Sequence, residues 1–147
     1  MIKRMNRTSK IIYGSLILSA IVTLLIVENI NTYRTTDIMK QDAVAYAESL
    51  NKDVPPNEFS QDGCTLFPNR LLFHDLRTAC LEHDKAYWLG GTKEERKAAD
   101  IALRETISHT GPIGPVIGYV MYAGVRVFGD TWLTEKFNAN WGYGWNE

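Results

Sequence analysis

The first sharp pattern is a run of 17 residues, 11–27, without a charge, preceded by Lys3, Arg4, Arg7 and Lys10 and no acid. Its length lies at the short end for a membrane span of roughly 17–25 residues and above the roughly 7–15 of a signal-peptide core. No Ala-x-Ala pattern follows Val27. The run reads as an uncleaved signal anchor, with secretion after cleavage as the alternative. Basic residues ahead of the span place the N-terminus in the cytoplasm and the rest of the chain in the periplasm or outside the cell.

Beyond it, residues 36–50 carry Ile38, Met39, Ala43, Val44, Ala47 and Leu50 near the helical period, which predicts a short helix. Residues 51–61, with Pro55-Pro56, read as a linker, and 62–69 as a turn-rich loop. The stretch 71–89 is apolar with helical period throughout and predicts one long helix, stopped by Gly90-Gly91. Thr92-Lys93-Glu94-Glu95 has the form of a capping box, opening a second helix from Lys93 to about Ser108. Two helices joined by so short a turn should lie antiparallel. Residues 116–128 hold a single charge, Arg126, and at 13 residues are too short to span. They read as a helix that is buried or lies in an interface. The tail holds Trp132, Phe137, Trp141, Tyr143 and Trp145; its Trp141–Trp145 segment is expected to pack over the helix pair, with docking on a membrane interface as the alternative.

The fold class expected is mainly α. The chain divides into a cytoplasmic basic N-terminus (1–10), a transmembrane anchor (11–28), a linker with a short helix (29–61) and one domain (62–147). A length of 147 residues suits one domain with an appendage. The net charge of −1 gives no electrostatic support to a nucleic-acid partner. Two cysteines in an exported chain favour a disulfide. Cys64 and Cys80 would close a loop of 16 residues, worth roughly 3 kcal/mol on the chain-entropy account.

The chemistry concentrates in Cys80-Leu81-Glu82-His83-Asp84-Lys85-Ala86-Tyr87. On a helix, Cys80, His83, Asp84 and Tyr87 share one face. His83 suits a general base, which needs a carboxylate on its other ring nitrogen. Asp84 points about 100° away and is poorly placed for that task. Asp100, on the second helix, lies eight residues beyond Thr92 as His83 lies eight before Gly91, so the two can face each other. Asp84 is then left for a hard cation such as calcium, with carbonyl ligands from the loop of Gly63, Thr65 and Phe67.

A helix carrying Cys-x-x-His-Asp-x-x-Tyr, with Asp100 downstream and Gly63-Cys64 upstream, resembles the active-site region of the phospholipase A2 superfamily, in particular its compact bacterial, fungal and viral members. The likeness covers residues 62–107. It implies that His83 activates a water, Asp100 holds His83, and Tyr87 hydrogen-bonds near the pair. It also implies that Asp84 and the carbonyls of Gly63, Thr65 and Phe67 bind Ca2+, and that a Cys64–Cys80 bridge braces the loop. The activity implied is calcium-dependent hydrolysis of a phospholipid acyl ester at a membrane. Thr65, Leu66 and Phe67 stand where the family usually has glycines, and Ala79 where it has a second cysteine. The competing expectations are an inactive lipid- or protein-binding module of the same fold and a structural envelope protein. His74-Asp75 lacks the flanking cysteine and tyrosine and reads as a surface or helix-start pair. His109 reads as a helix-terminal residue and residues 93–97 as a solvated face.

Overall fold

The computed structural model describes residues 13, 15–17, 19, 35–65, 67–71, 73–131 and 139–146. The chain forms two compact units, Met1–Thr32 and Tyr33–Glu147. In the first, the five described residues are helical. The basic segment and most of the expected anchor lie outside the described residues. Among those described, no helix is long and apolar enough to cross a membrane.

The second unit is mainly helical. Helix α1 (Asp37–Ser49) starts where Thr36 Oγ1 accepts the amide of Met39 at 3.3 Å. It buries Ala43 and Ala47, the small residues of its apolar period. The segment expected as a linker packs into this same unit. Phe59 is buried against the edge of Trp88, with ring centroids 5.9 Å apart, and Trp88 Nε1 donates to Asn57 O at 2.8 Å.

The stretch expected as one long helix divides. Its start holds a tight antiparallel pair, β1 (Arg70–Leu71) and β2 (His74–Asp75), in register Arg70 with Asp75 and Leu71 with His74. Helix α2 (Arg77–Leu89) begins only afterwards. Asn69 O accepts the amide of Leu76 at 3.0 Å, and Asp75 Oδ1 accepts that of Arg77 at 3.2 Å, so the chain turns back before the helix opens. A short apolar run does not distinguish strand from helix by its period, which is why the pattern overextended α2.

Helix α3 (Lys93–Ser108) starts at the capping box. Thr92 Oγ1 accepts from Glu95 N at 3.1 Å, and the Glu95 carboxylate accepts from Thr92 N at 2.7 Å. Helix α4 (Gly114–Phe128) packs extensively along α3. A Cβ at Gly118 would come within 2.6 Å of Arg104 O and one at Gly114 within 2.6 Å of Ile107 O, so glycines there let two backbones touch. Leu76, Ala79, Leu103, Ile107, Ile117 and Met121 form one core cluster across α2, α3 and α4. A second joins Ala43, Ala47, Phe59, Trp88, Leu89 and Tyr143. The tail packs as expected: Tyr143 is buried and Trp145 half exposed, whereas Trp132 and Phe137 lie outside the described residues.

Candidate active site

Helix α2 carries His83, Asp84 and Tyr87, and its contact with α3 brings Asp100 to them. His83 Nε2 lies 2.9 Å from Asp100 Oδ1, and the Tyr87 hydroxyl donates to the same oxygen at 2.8 Å. Asp100 is 0% exposed and His83 8%. An ionised carboxylate only accepts, so the proton between the pair belongs to His83 Nε2 and the ring's lone pair to Nδ1. The two rings stack in a tilted arrangement with centroids 4.2 Å apart.

Two cations support the pair, and the sequence reading named neither for this role. Arg126 Nη1 of α4 donates to Asp100 Oδ2 at 2.7 Å. Arg96 approaches the Tyr87 hydroxyl with Nε at 3.4 Å and holds Val125 O and Asp130, each at 3.2 Å. Burial alone would raise the Asp100 carboxyl. The hydrogen bonds from His83, Arg126 and Tyr87 outweigh it and hold the group below its ordinary value. Burial pushes the Tyr87 phenol well up against the opposing hydrogen bond from Arg96, with the negative Asp100 adding to the rise, which keeps it a donor.

Gly63, Cys64, Thr65 and Phe67 of the loop line the same cleft as Asp84. Cys64 and Cys80 are bonded, one helical turn before His83. Gly63 adopts φ +80, and a Cβ there would fall 2.3 Å from Asn69 Oδ1, the atom that also accepts the amide of Cys64 at 2.9 Å. Glycine is therefore required at 63. Thr65 also lies in the left-handed region, at φ 52, where a β-branched residue is an outlier. Its hydroxyl donates to Asp62 Oδ1 at 2.9 Å.

Asp84 Oδ2 is buried and, among the described residues, has no hydrogen-bond partner. Burial first, and the like charge of Asp62 second, raise its carboxyl well above the ordinary range. Asp62 is itself raised, mainly by burial, against the Thr65 hydroxyl hydrogen bond. The buried hydroxyl of Tyr143 donates to Ser60 O and feels the charge of Asp84. Among the described residues no three His, Cys, Asp or Glu gather where they could hold a metal ion, so any cation at Asp84 would need backbone carbonyls as well. The groups available beside Asp84, the carboxylate of Asp62 and the backbone of the loop that shares its cleft, are oxygen donors, the chemistry a hard cation takes.

Gly63, Cys64, Thr65 and Phe67 on one side, and His83, Asp84 and Tyr87 on another, border a cleft of about 280 Å³. Its remaining wall is apolar, from Val120, Met121, Gly124, Val125 and Phe128 of α4. Every residue named in the sequence for chemistry or metal binding thus meets at one cleft, except Asp100, which stands behind His83. Asp62, Tyr143, Arg96 and Arg126 joined the site unannounced. Only Arg126 had left a signal, as the sole charge in an apolar run.

His74-Asp75 divides. His74 is buried, its Nδ1 2.8 Å from Thr110 Oγ1, while Asp75 pairs with Arg77 on the surface and is drawn down to about 2, chiefly by that hydrogen bond. His109 Nδ1 lies 2.7 Å from Glu105 O at the end of α3, as a helix-terminal histidine should. Compared with models of known families, with curated sequences and with solved structures, the chain matches none.

Proposed function

We propose that the chain is a calcium-dependent hydrolase of phospholipid acyl esters, a phospholipase A2-like domain held at the outer face of a membrane by its N-terminal anchor. The observation that carries this reading is the juxtaposition of a buried His83–Asp100 pair with an unpartnered, buried oxygen on Asp84, at the mouth of one apolar cleft. A fold needing only stability gains nothing from an orphaned buried carboxylate, since such a group costs roughly 1–3 kcal/mol.

Asp84 would hold Ca2+, with Asp62 and the carbonyls of Gly63, Thr65 and Phe67 completing the donors. When bound, the ion polarises the ester carbonyl and stabilises the oxyanion. The rest falls to the chain itself. Nδ1 of His83 takes a proton from a water as the water's oxygen bonds to the ester carbon. Asp100 fixes the ring and stabilises the imidazolium, and Tyr87 anchors Asp100. His83 then returns the proton to the leaving glycerol oxygen as the ester C–O bond breaks. The apolar wall of α4 accommodates the acyl chain. The outer side of α4 exposes Val116, Tyr119 and Val127, at 66%, 65% and 64%, next to that wall, and this apolar strip suits contact with the bilayer that supplies the lipid.

The test uses the full chain in mixed detergent–phospholipid micelles, with calcium or with chelator. Acyl release is expected only with calcium, and His83→Ala should lower it by about 10²–10⁴-fold. Calcium should raise the thermal midpoint of the wild type and of His83→Ala but not of Asp84→Asn. A folded wild type with neither hydrolysis nor a calcium shift overturns the proposal and leaves the inactive binding module standing, the reading that non-glycine Thr65 favours.

A further inference from the structure

Asp100 serves its partners unequally. Oδ1 receives both His83 Nε2 and the Tyr87 hydroxyl, whereas Oδ2 receives Arg126 Nη1. Arg126 is the one charged residue of α4. It stands about 200° round the helix from Gly124 and Phe128, away from the cleft wall those residues form, so it does not touch a substrate there. It reaches Asp100 from the rear. The other groups facing Asp100 are His83 and Tyr87 from α2 and, through Tyr87, Arg96. Arg96 is held by Asp130 and Val125 O and does not replace Arg126.

We propose that Arg126 is a positioning residue: its guanidinium keeps Asp100 ionised and so keeps the proton of neutral His83 on Nε2 and the lone pair on Nδ1. Its part in turnover rests on the reading of His83 as the base. Without Arg126, Oδ2 is a buried carboxylate oxygen lacking a partner, and the carboxyl takes up a proton. A protonated Asp100 donates its O–H to Nε2. The ring's own proton must then sit on Nδ1, where it faces the reacting water and blocks acceptance of another. One proton is gained by the carboxyl from solvent and one relocates on the ring; nothing else changes.

The experiment reads the tautomer directly, by long-range 1H–15N correlation of the full chain in detergent at about pH 9, above the ordinary imidazole range. With three histidines, His83 is assigned from the spectrum of His83→Ala. The wild type and Arg126→Lys should show the proton on Nε2. Arg126→Met should show it on Nδ1, matching Asp100→Asn, and should lose about 10²-fold in kcat with KM little changed. Arg126→Lys should recover most of that loss. If Arg126→Met does not fold, Arg126→Gln decides, since it supplies an N–H donor without the charge. A folded Met or Gln variant that retains the Nε2 proton and a kcat within about twofold of wild type overturns the proposal, as does a wild type protonated on Nδ1. Should the wild type hydrolyse nothing while the tautomer shifts as stated, the functional reading fails and the positioning role stands.

Discussion

Asp100 accepts hydrogen bonds from His83, Tyr87 and Arg126 within the core, and this has a consequence in acid. Its carboxyl is held below the ordinary value of 3.8, so between that value and its lower folded value the unfolded chain binds more protons than the folded one. Its contribution to stability is therefore complete above 3.8 and is lost as pH falls through the folded value. Thermal midpoints measured down that acid limb should fall less steeply in Asp100→Asn than in the wild type, and the variant should be less stable at neutral pH. At this scale the sequence was legible where spacing on one helix decides neighbours. Cys80, His83, Asp84 and Tyr87 needed only the helical period, and Asp100 only the shortness of the Gly90-Gly91 turn. Asp62, Arg96, Arg126 and Tyr143 needed knowledge of how separate elements pack, which no local pattern holds.

An element's start was read to the residue where a chemical signal marks it, whereas the period alone placed α1 to within a residue at each end and overran the start of α2. The Thr92 capping box set the start of α3 to the residue, whereas the Thr36 cap of α1 emerges only in the structure. The start of α2 had no such mark: Leu76 makes no side-chain cap, and the amides there are turned by Asn69 and Asp75 through tertiary geometry. What braces the loop against α2 is the Cys64–Cys80 bond across 16 residues. Replacing both cysteines with serine should cost about 3 kcal/mol in urea unfolding. It should also weaken the calcium-induced rise in midpoint, because Gly63 and Thr65 lose their tie to the helix carrying Asp84. A variant equal to wild type in both measurements would show the bond to be dispensable.

The molecule as a whole presents a cleft whose apolar wall continues onto the exposed strip of α4. Val116→Asp with Val127→Asp should reduce hydrolysis of vesicle phospholipid about tenfold, while leaving that of a soluble short-chain ester unchanged, since neither residue borders the cleft. Equal losses on both substrates would assign the strip to the fold instead. At the opposite end, the tail closes α2. Gly142 N donates to Tyr87 O at 2.6 Å, Trp145 Nε1 to Leu89 O at 2.8 Å and Trp141 Nε1 to Gly91 O at 2.9 Å. The carbonyls that end the helix bearing His83 are thus satisfied by residues about fifty positions later. During synthesis that helix emerges first and waits for its cap. The last turn of the helix that carries His83 is therefore completed only once residues 141–145 have been made and docked, so truncation before Trp141 should loosen the His83–Asp100 pair as well as the tail.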